Sequence, residues 1–138
     1  MKQLPGLVLA VCLLATSVLA ANTPARAPTG MVVSANASSS AIGVDVMKRG
    51  GNAIDAAIAV AFSLAVTHPT AGNIGGGGFL IHQDAGGAAT AYDFRETAPG
   101  ASHPEMFLVD GEYRRELHHL SHLSVGVPGT VAGLYLAW

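Results

Sequence analysis

Apolar positions recur at helical spacing in a first segment after residue 36. They run from Ala41 to Met47 and follow Ser38–Ser40, whose hydroxyls can cap a helix N-terminus. Two basic residues then precede Gly50-Gly51. Cations favour the last turn of a helix and glycine favours its end. The pattern therefore predicts a helix that begins among the serines and ends before the glycine pair.

A second apolar segment, Ala53–Val66, carries a single charge at Asp55. Asn52 precedes it and can accept hydrogen bonds from the first free N–H groups, while Asp55 suits the positive end of the helix dipole. The apolar residues cover more than one face, which is typical of a helix enclosed by other elements. We expect a helix capped by Asn52 and buried on most sides.

Short runs of β-branched and aromatic residues predict strands. Met31–Val33 predicts one strand. Phe79–Ile81 and Ala89–Phe94 lie on either side of the turn Asp84–Gly87, so they predict an antiparallel hairpin. Together with the helices, these strands favour an α/β or α+β layered fold.

The last part of the chain is expected to form a helix. Asp110-Gly111 predicts a turn, and the polar stretch 112–122 predicts no definite element. Pro128 suits the first turn of a helix, because the N–H that proline lacks is not needed there. Val131, Leu134 and Tyr135 then supply the apolar spacing of that helix.

The N-terminal segment predicts export. Met1-Lys2 supplies a positive charge, residues 4–20 are uncharged and mostly apolar, and small residues follow, as in a secretory signal peptide. A transmembrane segment is the alternative. We expect a signal peptide at 1–20, a linker at 21–29 and a domain at 30–138 that is truncated at Trp138. The protein is then expected in the periplasm or outside the cell.

The composition excludes several classes of function. Hydrophobic residues make up 50% of the chain, charged residues make up 12%, and the formal net charge is −2. A nucleic-acid binder needs more Lys and Arg, and a disordered polyampholyte has fewer apolar residues. The single cysteine, Cys12, lies in the expected signal peptide. The exported chain is therefore expected to have neither a disulfide nor a thiol nucleophile.

Four consecutive glycines, Gly75–Gly78, lie just before the predicted hairpin. They lack the Lys-Ser/Thr pair that follows a phosphate-binding P-loop, and no dinucleotide-binding glycine register fits them. Such a run indicates either positive φ angles or a close approach of backbones. A tight turn into a core strand and a backbone that lines a substrate cleft both remain open.

The histidines suggest a metal site only weakly. His118 and His122 are four residues apart, but His119 stands where a zinc metalloprotease helix has its glutamate. We expect solvated or hydrogen-bonded histidines and no metal or cofactor, and we expect His68 to be structural. No Gly-x-Ser-x-Gly nucleophile elbow is present in the sequence.

Arg95 is the most informative single residue. It follows the predicted strand Ala89–Phe94 at a boundary between strand and loop, where binding residues are often found. Its planar guanidinium can bind both oxygens of a carboxylate. The alternative is a surface salt bridge with Asp93 or Glu96, and the residues alone leave the two interpretations open.

Taken together, several segments resemble the N-terminal part of the γ-glutamyltransferase (γ-glutamyltranspeptidase, glutathione hydrolase) family. The resemblance extends over about residues 30–138. It rests on several long motifs in a fixed order rather than on any one glycine pattern. The segments that carry it are Gly50–Ala57, Thr67–Pro69, Gly72–Phe79, Asp93–Glu96 and Val127–Gly133.

The resemblance implies an N-terminal nucleophile hydrolase with a four-layer α/β/β/α sandwich, of which this chain is the N-terminal part of the large subunit. Such a precursor cuts itself into two subunits, and the new N-terminal Thr of the small subunit attacks the γ-glutamyl amide. That Thr would lie beyond residue 138, so no catalytic residue is assigned here. The family's substrate arginine falls on Arg95, where it would hold the α-carboxylate of the γ-glutamyl group.

The implied substrates are glutathione and other γ-glutamyl compounds, with water, amino acids or peptides as acceptors. The implied partner is the small subunit from the same precursor, and residues 1–138 alone are expected to be inactive. Two alternatives remain. One is a related acylase that cleaves glutaryl or poly-γ-glutamyl amides, and the other is a secreted, non-enzymatic module that binds carboxylates through Arg95.

Overall fold

The computed structural model describes residues 24–138. The predicted signal peptide at 1–20 lies outside them, and residues 24–29 of the predicted linker contain no helix or strand. None of the helices described is long and apolar enough to cross a membrane. The elements in chain order are α1 (Ala37–Lys48), α2 (Ala53–Thr67), β1 (Phe79–Gln83), β2 (Ala89–Asp93), β3 (Leu108–Val109), β4 (Glu112–Tyr113), α3 (Arg115–His119), a 3-10 turn (His122–Ser124) and α4 (Thr130–Ala137).

Helix α1 begins earlier than its serines suggest. Asn36 is the capping residue, and its Oδ1 accepts hydrogen bonds from the backbone N–H groups of Ser38 (2.9 Å) and Ser39 (3.2 Å). The prediction of a serine cap was wrong, because these serines lie inside the first turn. The predicted end is confirmed, since the helix stops at Lys48 and Gly50 has a φ of 97°, which glycine tolerates best.

Helix α2 begins as predicted, with Asn52 and Asp55 capping each other. Asn52 Oδ1 accepts from Ile54 N at 2.8 Å and from Asp55 N at 3.0 Å. In return, Asn52 N donates to Asp55 Oδ2 at 2.8 Å. This reciprocal arrangement satisfies three N–H groups at the helix start.

Replacing Asn52 with alanine is expected to lower the free energy of unfolding by about 1 kcal/mol, since the cap of α2 is lost. Denaturant titration measures the change, and hydrogen exchange should rise selectively in the first turn of α2. Ser38→Ala is the control, because Ser38 is exposed and its hydroxyl makes no hydrogen bond within residues 24–138. Equal effects of the two substitutions would contradict the role given to Asn52.

Small residues let α1 and α2 pack closely. A Cβ on Gly43 would lie only 2.7 Å from Val60 Cγ2. Ser39 is 0% exposed, and its hydroxyl hydrogen-bonds with Ser63 Oγ (2.8 Å) and Thr67 Oγ1 (2.7 Å) across the interface. The polar atom that this packing buries is therefore satisfied.

The prediction that α2 is buried on most sides was wrong for the described chain. Ala56 and Val60 are buried, whereas Val66 on another face is 80% exposed. Helix α1 covers one face of α2, and a single helix cannot enclose a cylinder that is apolar all round.

Both predicted turns produce hairpins. Strands β1 and β2 pair antiparallel from Phe79↔Asp93 to Gln83↔Ala89, and the turn at Asp110-Gly111 joins β3 and β4. The strand predicted at Met31–Val33 does not form, because a strand needs a hydrogen-bonding partner and neither hairpin of residues 24–138 pairs with this segment.

Helix α4 begins two residues after the predicted proline. Gly129 is its capping residue and Thr130 its first residue, so Pro128 lies outside the helix. Of the residues that supply its apolar spacing, Leu134 is buried, whereas Tyr135 is 73% exposed. Val131 is exposed as well, since the buried face consists of Thr130, Gly133, Leu134 and Ala137.

Candidate functional site

Arg95 lies at the open end of the β1–β2 hairpin, just after strand β2. Strand β2 ends at Asp93, and Phe94 continues the pairing by exchanging hydrogen bonds with Gly78 (N–H···O distances of 3.1 and 3.4 Å). The chain then turns, and Arg95 N donates to Asp93 Oδ1 at 3.0 Å. The Asp93 side chain therefore shapes the turn that carries Arg95.

The guanidinium of Arg95 has no partner in the part of the chain that the structure describes. The residue is exposed, and its guanidinium makes no hydrogen bond or ion pair with any residue in the range 24–138. Within that range the only ion pair joins Arg49 and Asp45 at 2.8 Å. The alternative of a salt bridge from Arg95 to Asp93 or Glu96 is therefore not realised there.

The glycine run lies directly against the backbone of Arg95. A Cβ on Gly77 would collide with Glu96 N and would lie 2.6 Å from Arg95 Cα. None of Gly75–Gly78 has a positive φ angle, so an unusual backbone conformation does not explain these glycines. At Gly77 the reason is the close approach of two backbones. Two of the four glycines, Gly77 and Gly78, also line a cleft of about 440 Å³ together with Phe94. The run therefore lines a cleft, whereas β1 is not a core strand, since Phe79 and Ile81 are largely exposed.

Glycines of a later segment enclose the same stretch from another direction. A Cβ on Gly129 would meet the carbonyl oxygen of Phe94, and a Cβ on Gly133 would meet the Phe94 ring. Thr97 and Val127 exchange two backbone hydrogen bonds, at 2.8 and 3.3 Å. Residues 94–97 are therefore held between the glycine run and the start of α4.

Asn73 links those two flanking segments. Its Oδ1 accepts hydrogen bonds from Gly76 N at 2.9 Å and from Thr130 Oγ1 at 2.6 Å. The carbonyl oxygen of Gly76 accepts from Gly129 N at 2.8 Å and from Thr130 N at 3.1 Å. No role for Asn73 or Thr130 follows from the sequence alone. In the sequence, these two residues stand out only because they belong to the motifs Gly72–Phe79 and Val127–Gly133.

The histidines lie apart from this arrangement. Helix α3 ends at His119 and His122 begins a separate 3-10 turn, so His118 and His122 do not share one helix. His118 Nδ1 hydrogen-bonds with Tyr113 Oη at 2.8 Å. The imidazole of His118 packs against the Phe107 ring, with the ring centroids 4.6 Å apart. Residues 24–138 contain no group of three His, Cys, Asp or Glu side chains placed to hold a metal ion.

His68 contributes to the end of helix α2 through its backbone. It ends helix α2, and its carbonyl oxygen accepts hydrogen bonds from Ala71 N (3.1 Å) and Gly72 N (2.8 Å). These bonds satisfy a carbonyl at the helix terminus and turn the chain toward the glycine run.

Comparison with known proteins gives a consistent result. The family model described as gamma-glutamyltranspeptidase matches residues 39–138. A glutathione hydrolase proenzyme of Escherichia coli is 53% identical over 115 residues, which cover 83% of this chain and 20% of that protein. The chain thus spans about a fifth of the length of that curated relative.

Solved structures show the same likeness. Gamma-glutamyltranspeptidase of Helicobacter pylori matches with a TM-score of 0.77 and 46% identity, over 83% of this chain and 33% of that one. Gamma-glutamyltranspeptidase from Pseudomonas nitroreducens, complexed with L-DON, matches with a TM-score of 0.75 and 42% identity, over 81% and 33% of the two chains. The mixed helix and strand architecture therefore corresponds to the matched part of these proteins.

Proposed function

This chain belongs to the gamma-glutamyltranspeptidase family, and we propose that it is part of an enzyme that cleaves the γ-glutamyl amide bond of glutathione and related compounds. The γ-glutamyl group is then passed to water or to the amine of an amino acid or peptide. The role of residues 24–138 is to bind the γ-glutamyl donor rather than to supply the nucleophile.

The observation that carries this proposal is the state of Arg95. Its guanidinium is exposed and has no partner among residues 24–138, although its backbone is tightly enclosed by Gly77 and Gly129. A fixed backbone and a guanidinium that none of the described residues engages suit recognition of a carboxylate by two parallel hydrogen bonds. We infer that Arg95 binds the α-carboxylate of the γ-glutamyl group and so orients the donor.

The chemistry follows from a threonine nucleophile that lies outside residues 1–138. The threonine hydroxyl attacks the γ-carbonyl carbon of the donor, and the hydroxyl proton passes to the α-amine of the same threonine. The tetrahedral oxyanion is stabilised by backbone N–H groups, and the amide C–N bond then breaks. The leaving amine takes the proton, and water or an acceptor amine resolves the γ-glutamyl ester.

We also propose the assembly that this mechanism needs. The precursor cleaves itself into a large and a small subunit, and the two form the four-layer α/β/β/α sandwich of an N-terminal nucleophile hydrolase. The apolar residues that stay exposed on α2 and α4, such as Val66 and Tyr135, are consistent with coverage by further parts of such a fold.

Export is part of the same proposal. The positive charge at Met1-Lys2 and the apolar stretch 4–20 support a cleaved signal peptide and a periplasmic or extracellular enzyme. N-terminal sequencing of the exported protein tests this. Cleavage after Ala20 gives a start at Ala21, and cleavage after the second candidate, Ala27, gives a start at Pro28, whereas a start at Met1 would contradict it.

The function itself is tested with the purified full-length protein and glutathione. We expect release of glutamate, and formation of a γ-glutamyl dipeptide when a dipeptide acceptor is added. Residues 1–138 alone are expected to show no turnover. Cleavage of glutaryl amides without cleavage of glutathione would support the acylase alternative. Binding of glutamate without any turnover would support the carboxylate-binding module.

A further inference from the structure

The segment that carries Arg95 is held by backbone contacts on two sides. Gly77 approaches Arg95 Cα, and Gly129 approaches the carbonyl oxygens of Phe94 and Arg95. Neither glycine has a side chain that could yield between the two backbones. A displacement of either flanking segment is therefore transmitted directly to the backbone of Arg95.

One side-chain hydrogen bond locks those two flanking segments together. Asn73 Oδ1 accepts from Gly76 N (2.9 Å) and from Thr130 Oγ1 (2.6 Å). The acceptor must be the amide oxygen, because a backbone N–H can only donate. Thr130 is 6% exposed, so its hydroxyl has little access to water as a replacement partner.

The same junction completes the start of α4. Gly129 caps this helix without a side-chain hydrogen bond, and the carbonyl oxygen of Gly76 accepts from Gly129 N (2.8 Å) and Thr130 N (3.1 Å) instead. Two of the free N–H groups at the helix start are thus satisfied by the glycine run. Three hydrogen bonds therefore join residues 73–76 to the first residues of α4.

We propose that Asn73 and Thr130 are positioning residues that set the affinity for γ-glutamyl donors by fixing the backbone of Arg95. The inference rests on the proposed function of Arg95 as the α-carboxylate ligand. A long, exposed arginine side chain can meet both oxygens of a carboxylate only if its backbone is held in place. In this proposal Asn73 and Thr130 act on the donor through the backbone of Arg95.

The test is Thr130→Val in the full-length enzyme, which keeps the shape of the side chain and removes the hydroxyl. We expect KM for a chromogenic γ-glutamyl anilide to rise about threefold to tenfold, as the loss of one hydrogen bond implies, with little change in kcat. Thr130→Ser keeps the hydroxyl and should restore KM. Asn73→Ala, at an exposed position, removes the same acceptor and should raise KM in the same way if Thr130→Val proves too unstable to purify.

A second donor separates positioning from general destabilisation. The α-methyl ester of the same anilide lacks the charged α-carboxylate, so the variants should lower kcat/KM for it much less than for the parent donor. When Arg95→Lys is present, Thr130→Val should add little further loss, since both changes act on one contact.

Ser39→Ala is the matched control. Ser39 is also buried and hydrogen-bonded, but it lies between α1 and α2, so we expect its loss to leave KM unchanged. Equal losses for the two donors, or a KM rise in Ser39→Ala, would overturn the inference and leave Thr130 a purely structural role. Failure of the wild-type enzyme to hydrolyse the anilide would instead refute the proposed function.

Discussion

Replacing Arg95 with lysine is expected to lower kcat/KM for γ-glutamyl donors by about 10-fold to 100-fold in the full-length enzyme, mainly through KM. Arginine can present two parallel N–H groups to a carboxylate, whereas lysine offers a single point charge. A charge-assisted hydrogen bond contributes about 1.5–3 kcal/mol, which corresponds to that range of rates. Steady-state kinetics with a γ-glutamyl anilide measures the change.

The control for Arg95→Lys is Arg49→Lys. Arg49 forms the exposed ion pair with Asp45 on α1. Such surface pairs contribute little to stability, so the kinetics of the Arg49→Lys enzyme should match those of the wild type. Self-cleavage of the precursor should remain intact in both variants, because neither side chain takes part in the proposed attack by the threonine. Unchanged kinetics in Arg95→Lys would remove the assignment of Arg95 as the carboxylate ligand.

Replacing Gly77 with alanine is expected to destabilise the protein by roughly 1–3 kcal/mol, the usual effect of overpacking, and to impair donor binding. The new Cβ would collide with Glu96 N and crowd Arg95 Cα, and backbone atoms cannot rotate away as a side chain can. Denaturant titration measures the stability, and KM for the donor reports the displacement of Arg95.

Gly75→Ala is the matched control within the same glycine run. A Cβ at Gly75 would meet nothing within 4 Å, and its φ angle is not positive. We expect its stability to stay within about 0.5 kcal/mol of the wild type, with unchanged kinetics. If both alanine variants behaved alike, the close approach of Gly77 to the Arg95 segment would not be the reason for the glycine.

Local signals in the sequence were sufficient for much of the secondary structure. The cap and first turn of α2 depend on Asn52 and Asp55, three residues apart, and the end of α1 depends on Gly50. Such features involve neighbouring residues and are readable from spacing alone. Where several neighbours could serve, as with Asn36 and the serines after it, spacing could not decide between them.

Burial was harder to predict, because periodicity identifies an apolar face but not what covers it. Tyr135 and Val131 have helical spacing, yet both are exposed, since Gly133 and Leu134 lie on the side of α4 that faces the Phe94 segment. The strand expected at Met31–Val33 failed for a related reason. A strand depends on a partner that its own residues do not specify.

In the candidate site, too, local features could be predicted from the sequence, whereas contacts between distant residues could not. Arg95 could be predicted as a candidate carboxylate ligand from its position after a strand and from the family resemblance. The contact between Asn73 and Thr130 joins residues 57 positions apart, and neither side chain indicates it locally. Only the folded chain shows that the motifs Gly72–Phe79, Asp93–Glu96 and Val127–Gly133 meet around one arginine.

The most direct test of the account is the intact mass of the native gene product, purified after export. The account predicts two chains from one precursor, with residues 30–138 in the larger chain and a threonine at the N-terminus of the smaller one. A single uncleaved chain without γ-glutamyl hydrolysis would contradict the proposal that Arg95 serves a self-processing γ-glutamyl enzyme.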